Sequence, residues 1–592
     1  MQGLKSRYRA LPLFASPLEE EEHSHHHGHP PPPGPLKHSE SELFVPDKQL
    51  RAEASELQAP HESIAFRERE EASSIELFYD LFFVANLSTF TGAHTIDNET
   101  SIKSYIGFFA LLWFNWLQVT LYDVRFGVDS IFERACKALH LGVMIAFAVV
   151  GTNFTPTDTA TNVSTFRQFS VILLISRLVL IVQYSYILLW VRGHKNVMLP
   201  ILAHIAAFVI GAIICLGLTF SFNSTTTSVS YLGWYVIAAM EALVVFTSTS
   251  RWRSISFKHT NLNERCGLLT LIILGEGVIV LTKAMTNVTK GEGYTAAMVG
   301  QIISAVLIIY FIYMLYFDQV DAKRFGTIRQ QFWALAHFPF HISLVLLLEG
   351  CSRFISFRNA IEVVLTVQTY FVDAYGSFVD QDNVSLPDLG ANLTKIANTY
   401  LKDNLQADLT KYNITPYVDA LVASGNATSD EAFNDADQIL NTITTAIFKY
   451  FKIEAPKSMA KKASGDKDPF SDLTTILSVY DLVFQYFFAA AGCTLVMMAI
   501  MVALSKKGKV AGDYAVISIR AVIGAGLALV ALVSTNYTAR DNFLYTPWML
   551  PTVLFAILIV VIVDAVFGYL LPAPKAVEAH GHGHGGAHEH SV

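Results

Sequence analysis

The chain has 592 residues, 52% of them hydrophobic and only 16% charged, with a formal net charge of −8. That balance excludes an ordinary soluble domain, and the lack of a basic stripe with interleaved aromatics leaves nucleic acid without a footing. The five cysteines, Cys136, Cys215, Cys266, Cys351 and Cys493, lie inside or at the edge of apolar segments without CxxC spacing, so they read as free thiols packed between helices.

Residues 1–73 are expected to form a disordered tail. Glu19 to Glu22 are followed by His23, His25, His26, His27 and His29 and then by Pro30 to Pro33, a composition that cannot bury a core. No apolar leader opens the chain, which leaves the first span as the anchor. The His tract could gather zinc or a similar ion, although a polar, pH-sensitive tail is the plainer reading of such a segment.

A bilayer asks for about 20 mainly apolar residues per helix. On that ruler the chain is an all-α polytopic bundle of twelve spans, near 75–97, 104–123, 133–154, 168–191, 197–220, 230–250, 265–285, 295–317, 330–355, 483–504, 514–535 and 545–570. Spans one to nine occupy 74–356 and spans ten to twelve 476–571. Between them, 357–475 reads as a small helical insertion with amphipathic stretches such as Asp435 to Tyr450. Residues 572–592 form a second His-rich tail, with His580, His582, His584, His588 and His590.

Two independent signals orient these spans. Loops after even-numbered spans are short and basic, as with Arg192 and Lys195, or Arg251, Arg253, Lys258 and Arg265, and the positive-inside rule assigns them to the cytoplasm. Loops after odd-numbered spans carry the glycosylation sequons at Asn98, Asn162, Asn223, Asn287, Asn383, Asn392, Asn413, Asn426 and Asn536, which are modified only on the lumenal side. Asn86 and Asn153 also match, but lie too near the bilayer to be used. Both termini are therefore expected in the cytoplasm, in a plasma membrane or an endomembrane.

The segment Arg67-Glu68-Arg69-Glu70-Glu71-Ala72-Ser73-Ser74-Ile75-Glu76-Leu77-Phe78-Tyr79-Asp80 resembles the opening signature of the low-temperature-requirement A (LtrA) family of membrane proteins. Glu264-Arg265-Cys266-Gly267 running to Leu274-Gly275-Glu276 is similar to that family's second signature, and His337-Phe338-Pro339-Phe340-His341 to its later His-x-Pro element. The resemblance spans roughly 64–356 and implies fold and membrane location, without an activity that can be carried over. The insertion departs from the bacterial pattern, and together with the sequons and His tails it points to a fungal member.

Ionisable groups at mid-bilayer cost at least about 2.5–3.5 kcal/mol each, so they face a protein interior and pair. Counting residues from the span ends puts Arg177, Glu241, Glu276 and His341 at one level. One Arg against two Glu leaves negative charge for a proton or cation to balance; the alternative is a packed polar core. Glu76, Asp80, His140 and His337 lie nearer the cytoplasmic face and are expected to line the approach, where interfacial charges can equally lock helix ends. Lys283 approaches the lumenal end of span seven, where snorkelling is the default.

The function expected is a proton- or cation-linked transporter or channel built on those four midplane residues. Its rival is a non-transporting receptor or scaffold whose insertion binds a partner. No P-loop, nucleophile elbow, HExxH or dinucleotide fingerprint appears, so neither enzymatic turnover nor a cofactor is expected. The expected partners are the bilayer and a small ion or solute, and self-association is compatible with the sequence.

Overall fold

A computed structural model of the chain describes residues 11–18, 66–67, 71–156, 162–222, 229–258, 260–288, 295–318, 327–380, 385–400, 412–424, 430–453, 469–506 and 509–570. The helices are α1 (Ser74–Ala93), α2 (Glu99–Phe126), α3 (Ile131–Gly151), α4 (Val163–Trp190), α5 (Lys195–Ser221), α6 (Leu232–Arg251), α7 (Leu262–Val288) and α8 (Ala296–Phe317). There follow α9 (Thr327–Asp380), α10 (Leu386–Asn398), α11 (Thr415–Ala423), α12 (Asp430–Tyr450), α13 (Pro469–Ser505), α14 (Ala511–Val530), α15 (Tyr537–Leu544) and α16 (Met549–Leu570). Among the described residues, the only extended pairing is an isolated bridge between Leu18 and Phe66.

Local chemistry sets several helix starts. The Asn98 side chain accepts from Ser101 N at 2.8 Å to open α2, and Ser130 Oγ accepts from Glu133 N at 3.2 Å to open α3, each filling a donor the first turn leaves orphaned. The short α4–α5 connection turns on Gly193 at φ +100°, a left-handed backbone that glycine adopts without steric cost.

Eleven helices among the described residues, α2 to α9, α13, α14 and α16, are long and apolar enough to cross a bilayer. Helix α1, the first of the twelve expected spans, falls short of that measure. It carries Glu76, Asp80 and Asn86, all buried against neighbouring helices. Its 20 residues rise about 30 Å, the thickness of a hydrocarbon core, so packing holds it in the bundle where hydropathy alone would not.

Helix α2 is the axis of the bundle. Leu111, Leu112, Trp113, Trp116, Leu117 and Gln118 point to all sides of it and are each no more than 2% exposed, the pattern of a helix enclosed all round. It touches α3, α4 and α6 on one side and α1, α7 and α9 on the other. Helices α13 and α14 approach so closely that a Cβ built on Gly492 would meet the backbone of Gly524 and Ala528, the small-residue contact that lets membrane helices gain dispersion energy.

Helix α9 has 54 residues, about 81 Å at the usual rise. It runs past the expected span end at 355, because Phe357, Ala360, Ile361, Val363, Val367 and Phe371 keep the helical spacing and remain buried. The insertion is thus built on an extension of a membrane helix. Ala432, Ala436, Ile439, Ile443 and Ile447 give α12 its apolar stripe.

Part of the N-terminal region expected to be a free tail is docked. Pro12 and Leu13 carbonyls accept from Ile131 N (3.0 Å) and Phe132 N (3.2 Å), and Phe14 stacks on Tyr186 with ring centroids 5.6 Å apart. Apolar Leu13, Phe14 and Leu18 distinguish this stretch from the His- and Pro-rich remainder, which lies outside the described residues, as do His23, His25, His26, His27, His29 and the C-terminal His cluster.

Candidate functional site

Glu76 and Asp80 lie one turn apart on α1, and Arg265 lies one turn into α7. Arg265 Nη2 donates to Asp80 Oδ1 at 2.7 Å, and Nη1 lies 3.6 Å from Glu76 Oε2. Trp116 Nε1 donates to the same Asp80 oxygen at 2.7 Å. Asp80 and Arg265 are both 0% exposed. Asp80 Oδ2 and Arg265 Nε nevertheless have no hydrogen-bond partner among the described residues, a costly arrangement for charged groups in a low-dielectric interior. By its position in the sequence Arg265 groups with the loop cations Arg251, Arg253 and Lys258. The signal that could have relocated it is its place in the second signature, since the first supplies the acid it pairs with.

Glu76 also lines a cavity of about 500 Å³ at the end of the bundle that carries the basic loops, together with Asp123, Asp129, Glu133, Arg134 and Lys137. Lys137 pairs with Asp123, both buried. Arg134 grips Asp129 through two bonds of 2.7 and 2.8 Å near the solvent. Glu133 accepts from Tyr122 (2.5 Å) and from Gln183 Nε2 (2.8 Å). Gln183 Oε1 lies 2.9 Å from His140 Nε2; an amide oxygen only accepts, so His140 carries its proton on Nε2.

One layer deeper, Trp113 Nε1 donates to His341 Nδ1 at 3.2 Å. An indole only donates, so the His341 proton sits on Nε2 and is given to Thr270 Oγ1 at 2.8 Å, while Thr270 donates to the Cys266 carbonyl at 2.9 Å. His337 donates from Nδ1 to the Trp333 carbonyl (2.8 Å) and accepts from Tyr316 at Nε2 (2.8 Å). All four ring nitrogens are engaged in a directional network that suits two neutral imidazoles and leaves no lone pair for an ion. Through these bonds His341, expected at the ion site, bridges α2 and α7, and His337, expected along the approach, reaches α8.

Glu276 lies six residues beyond Thr270 on α7, about 9 Å along the axis. It is 7% exposed, its carboxylate is hydrogen-bonded by Ser88, and its Oε1 has no partner among the described residues. With Glu349 it lines a narrow void of about 20 Å³, room for about one water. The same two residues line a larger cavity of about 240 Å³ at the opposite end of the bundle, with Lys283, Arg353 and Lys452. Glu349 is held by Arg353 at 2.9 Å, one turn away.

Arg177 and Glu241 do meet. Arg177 gives Glu241 two bonds, Nε–Oε1 at 3.1 Å and Nη2–Oε2 at 3.0 Å, and Nη1 donates to Asn115 at 3.1 Å. Fork-to-fork geometry and full burial satisfy both charges. No hydrogen bond or ion pair among the described residues joins this pair to Glu276 or His341, so the expected four-residue site is divided among three places. Its members share a level but not a face, which a depth count cannot detect.

Of the sequons, Asn98 and Asn536 cap helix starts, Asn162 precedes α4, and Asn392 and Asn413 are exposed on the insertion. Asn86 is buried and donates to the Phe82 and Met144 carbonyls. Asn223, Asn383, Asn426 and the Asn287 side chain lie outside the described residues.

The three sequence signatures thus converge around α2, with Asp80, Arg265, Thr270 and His341 packed about Trp113 and Trp116. Residues 71–376, just over half of the chain, match the family model described as bacterial low temperature requirement A protein (LtrA). No curated protein matches the chain, and no solved structure does. On the strength of the family match and the all-helical membrane bundle, the chain belongs to the LtrA family of membrane proteins.

Proposed function

We propose that this LtrA family member is a proton- or cation-linked transporter. The observation that carries the reading is the placement of two buried carboxylates, each with one oxygen lacking a hydrogen-bond partner among the described residues: Asp80 lies between two polar cavities at opposite ends of α1, and Glu276 lines the second of them. Glu76 lines one cavity and Ser88 the other, 12 residues or about 18 Å apart along the helix. Phe83, Trp113, Trp116 and His341, all fully buried, fill the layer between them.

Two dead-end cavities separated by one packed layer suit alternating access better than an open pore. Four carboxylates against two cations line the first cavity, which favours the entry of positive charge. In this reading the basic loops face the cytoplasm, as the positive-inside rule has it, and the sequon-bearing side faces out. Asp80 with Arg265 forms the inner station and Glu276 the outer one, while Arg177 and Glu241 hold the α4–α6 lobe together.

Flux of protons and monovalent cations into proteoliposomes under an imposed gradient tests this. Flux that Glu276→Gln abolishes at unchanged folded yield supports the reading; no flux of either, or flux that Glu276→Gln leaves intact, discards it.

A further inference from the structure

The cavity over Glu276 is closed in part by the insertion. Phe451 and Ile453, 3% and 5% exposed, anchor the turn that follows α12, and Lys452 between them lines the cavity. The turn is a Schellman motif: Ile453 N donates to the Phe448 carbonyl at 2.8 Å and Lys452 N to the Lys449 carbonyl at 3.0 Å. Lys452 occupies the left-handed position, φ +58°, and is the one residue other than glycine with positive φ among those described. Glycine fills that position with least strain. A lysine held there sets an ammonium group at the cavity at the expense of backbone comfort, a pattern found at functional sites.

The charges in this cavity are segregated. At its floor the buried Glu276 carboxylate presents an oxygen with no partner among the described residues, beside the hydroxyls of Ser88 and Thr91. At its mouth are Lys283, two turns further along α7 and exposed, and Lys452 from the insertion. Glu349 and Arg353 neutralise each other on the wall. A ligand that matches this arrangement carries a cation at one end and an anion at the other. A lone anion would meet the Glu276 carboxylate, and a lone cation would meet two lysines.

We propose that this cavity binds a small zwitterion of the α-amino acid class, ammonium toward Glu276 and carboxylate toward Lys283 and Lys452. The void of about 240 Å³ takes such a molecule. The proposal deepens the transport reading by naming its solute, but binding itself does not depend on transport.

The experiment uses the full chain in lipid nanodiscs, with no gradient, and labelled L-alanine and L-leucine as probes at equilibrium. Saturable binding of at least one is expected, undisplaced by equal concentrations of acetate or methylammonium. Lys452→Gly is expected to weaken it about tenfold or more, the worth of one charge-assisted contact, and Lys452→Arg to retain most of it. Because glycine suits the left-handed turn, a loss in Lys452→Gly is not a folding failure. Absence of binding by both probes, displacement by acetate alone, or wild-type binding in Lys452→Gly overturns the proposal. Ion flux without amino acid binding defeats this inference and leaves the transport reading standing; binding without any flux does the reverse.

Discussion

Arg265 donates to Asp80 across 2.7 Å, and this bond ties the family's first signature to its second at the buried face of α2. Removing the cation leaves the fully buried Asp80 carboxylate without its ion partner, and breaking such a pair costs about 3–5 kcal/mol. Arg265→Met is therefore expected to lower the thermal midpoint of the detergent-solubilised protein steeply. The double variant Arg265→Met with Asp80→Asn is expected to recover much of the loss. Melting followed by size exclusion measures both, and additive losses in the double variant would contradict the pairing.

Arg177 and Glu241 should behave as a structural clamp. Arg177→Met alone is expected to destabilise by about 3–5 kcal/mol, whereas Arg177→Met with Glu241→Leu is expected to come within about 1–2 kcal/mol of the wild type, because paired apolar replacement spares the desolvation cost. A double-mutant thermal cycle gives the coupling. Ion flux retained in the double variant separates this pair from the transport stations.

The neutral imidazole network makes a different prediction. Thr270→Val removes the acceptor for His341 Nε2–H, and Trp113→Phe removes the donor to Nδ1. Each leaves a buried group unmade and is expected to cost about 1–3 kcal/mol. Neither should confer or abolish ion selectivity in flux assays; a selectivity change would return His341 to the ion site.

Much of the fold was legible because bilayer thickness imposes a strong period on sequence. Helix α1 is legible as an apolar stretch near 75–97, but Glu76, Asp80 and Asn86 dilute its hydropathy, and only their burial against neighbouring helices explains why it belongs to the bundle. The end of α9 was misplaced by 25 residues, from 355 to 380, because an apolar stripe continues there without a bilayer to require it. Residue types and depths singled out Glu276, Arg177 and Glu241 as buried charges. Depth carries no azimuth, however, so the sequence could not tell that Arg177 and Glu241 face each other while Glu276 faces a cavity. Arg265 was masked by its position among loop cations, and Lys452 by a turn whose handedness only coordinates reveal.

Helix approach at Gly492 offers a test of packing. A methyl group there meets the backbone of Gly524 and Ala528, whereas one on Gly526 meets nothing within 4 Å. Gly492→Ala is expected to destabilise by about 1–3 kcal/mol through overpacking, and Gly526→Ala to be neutral or slightly stabilising through its helix propensity. Paired thermal melts decide it, and equal effects at the two positions would contradict the close contact.

The central claim is that two polar cavities face opposite sides of one membrane. Ser74→Cys in the first cavity and Thr95→Cys in the second, at exposed positions, test it against a background in which four native thiols are buried and Cys493 is half-buried. In oriented sealed vesicles a membrane-impermeant maleimide should label Thr95→Cys from outside, and Ser74→Cys only from the cytoplasmic side. Labelling of both variants from the same side would contradict the account.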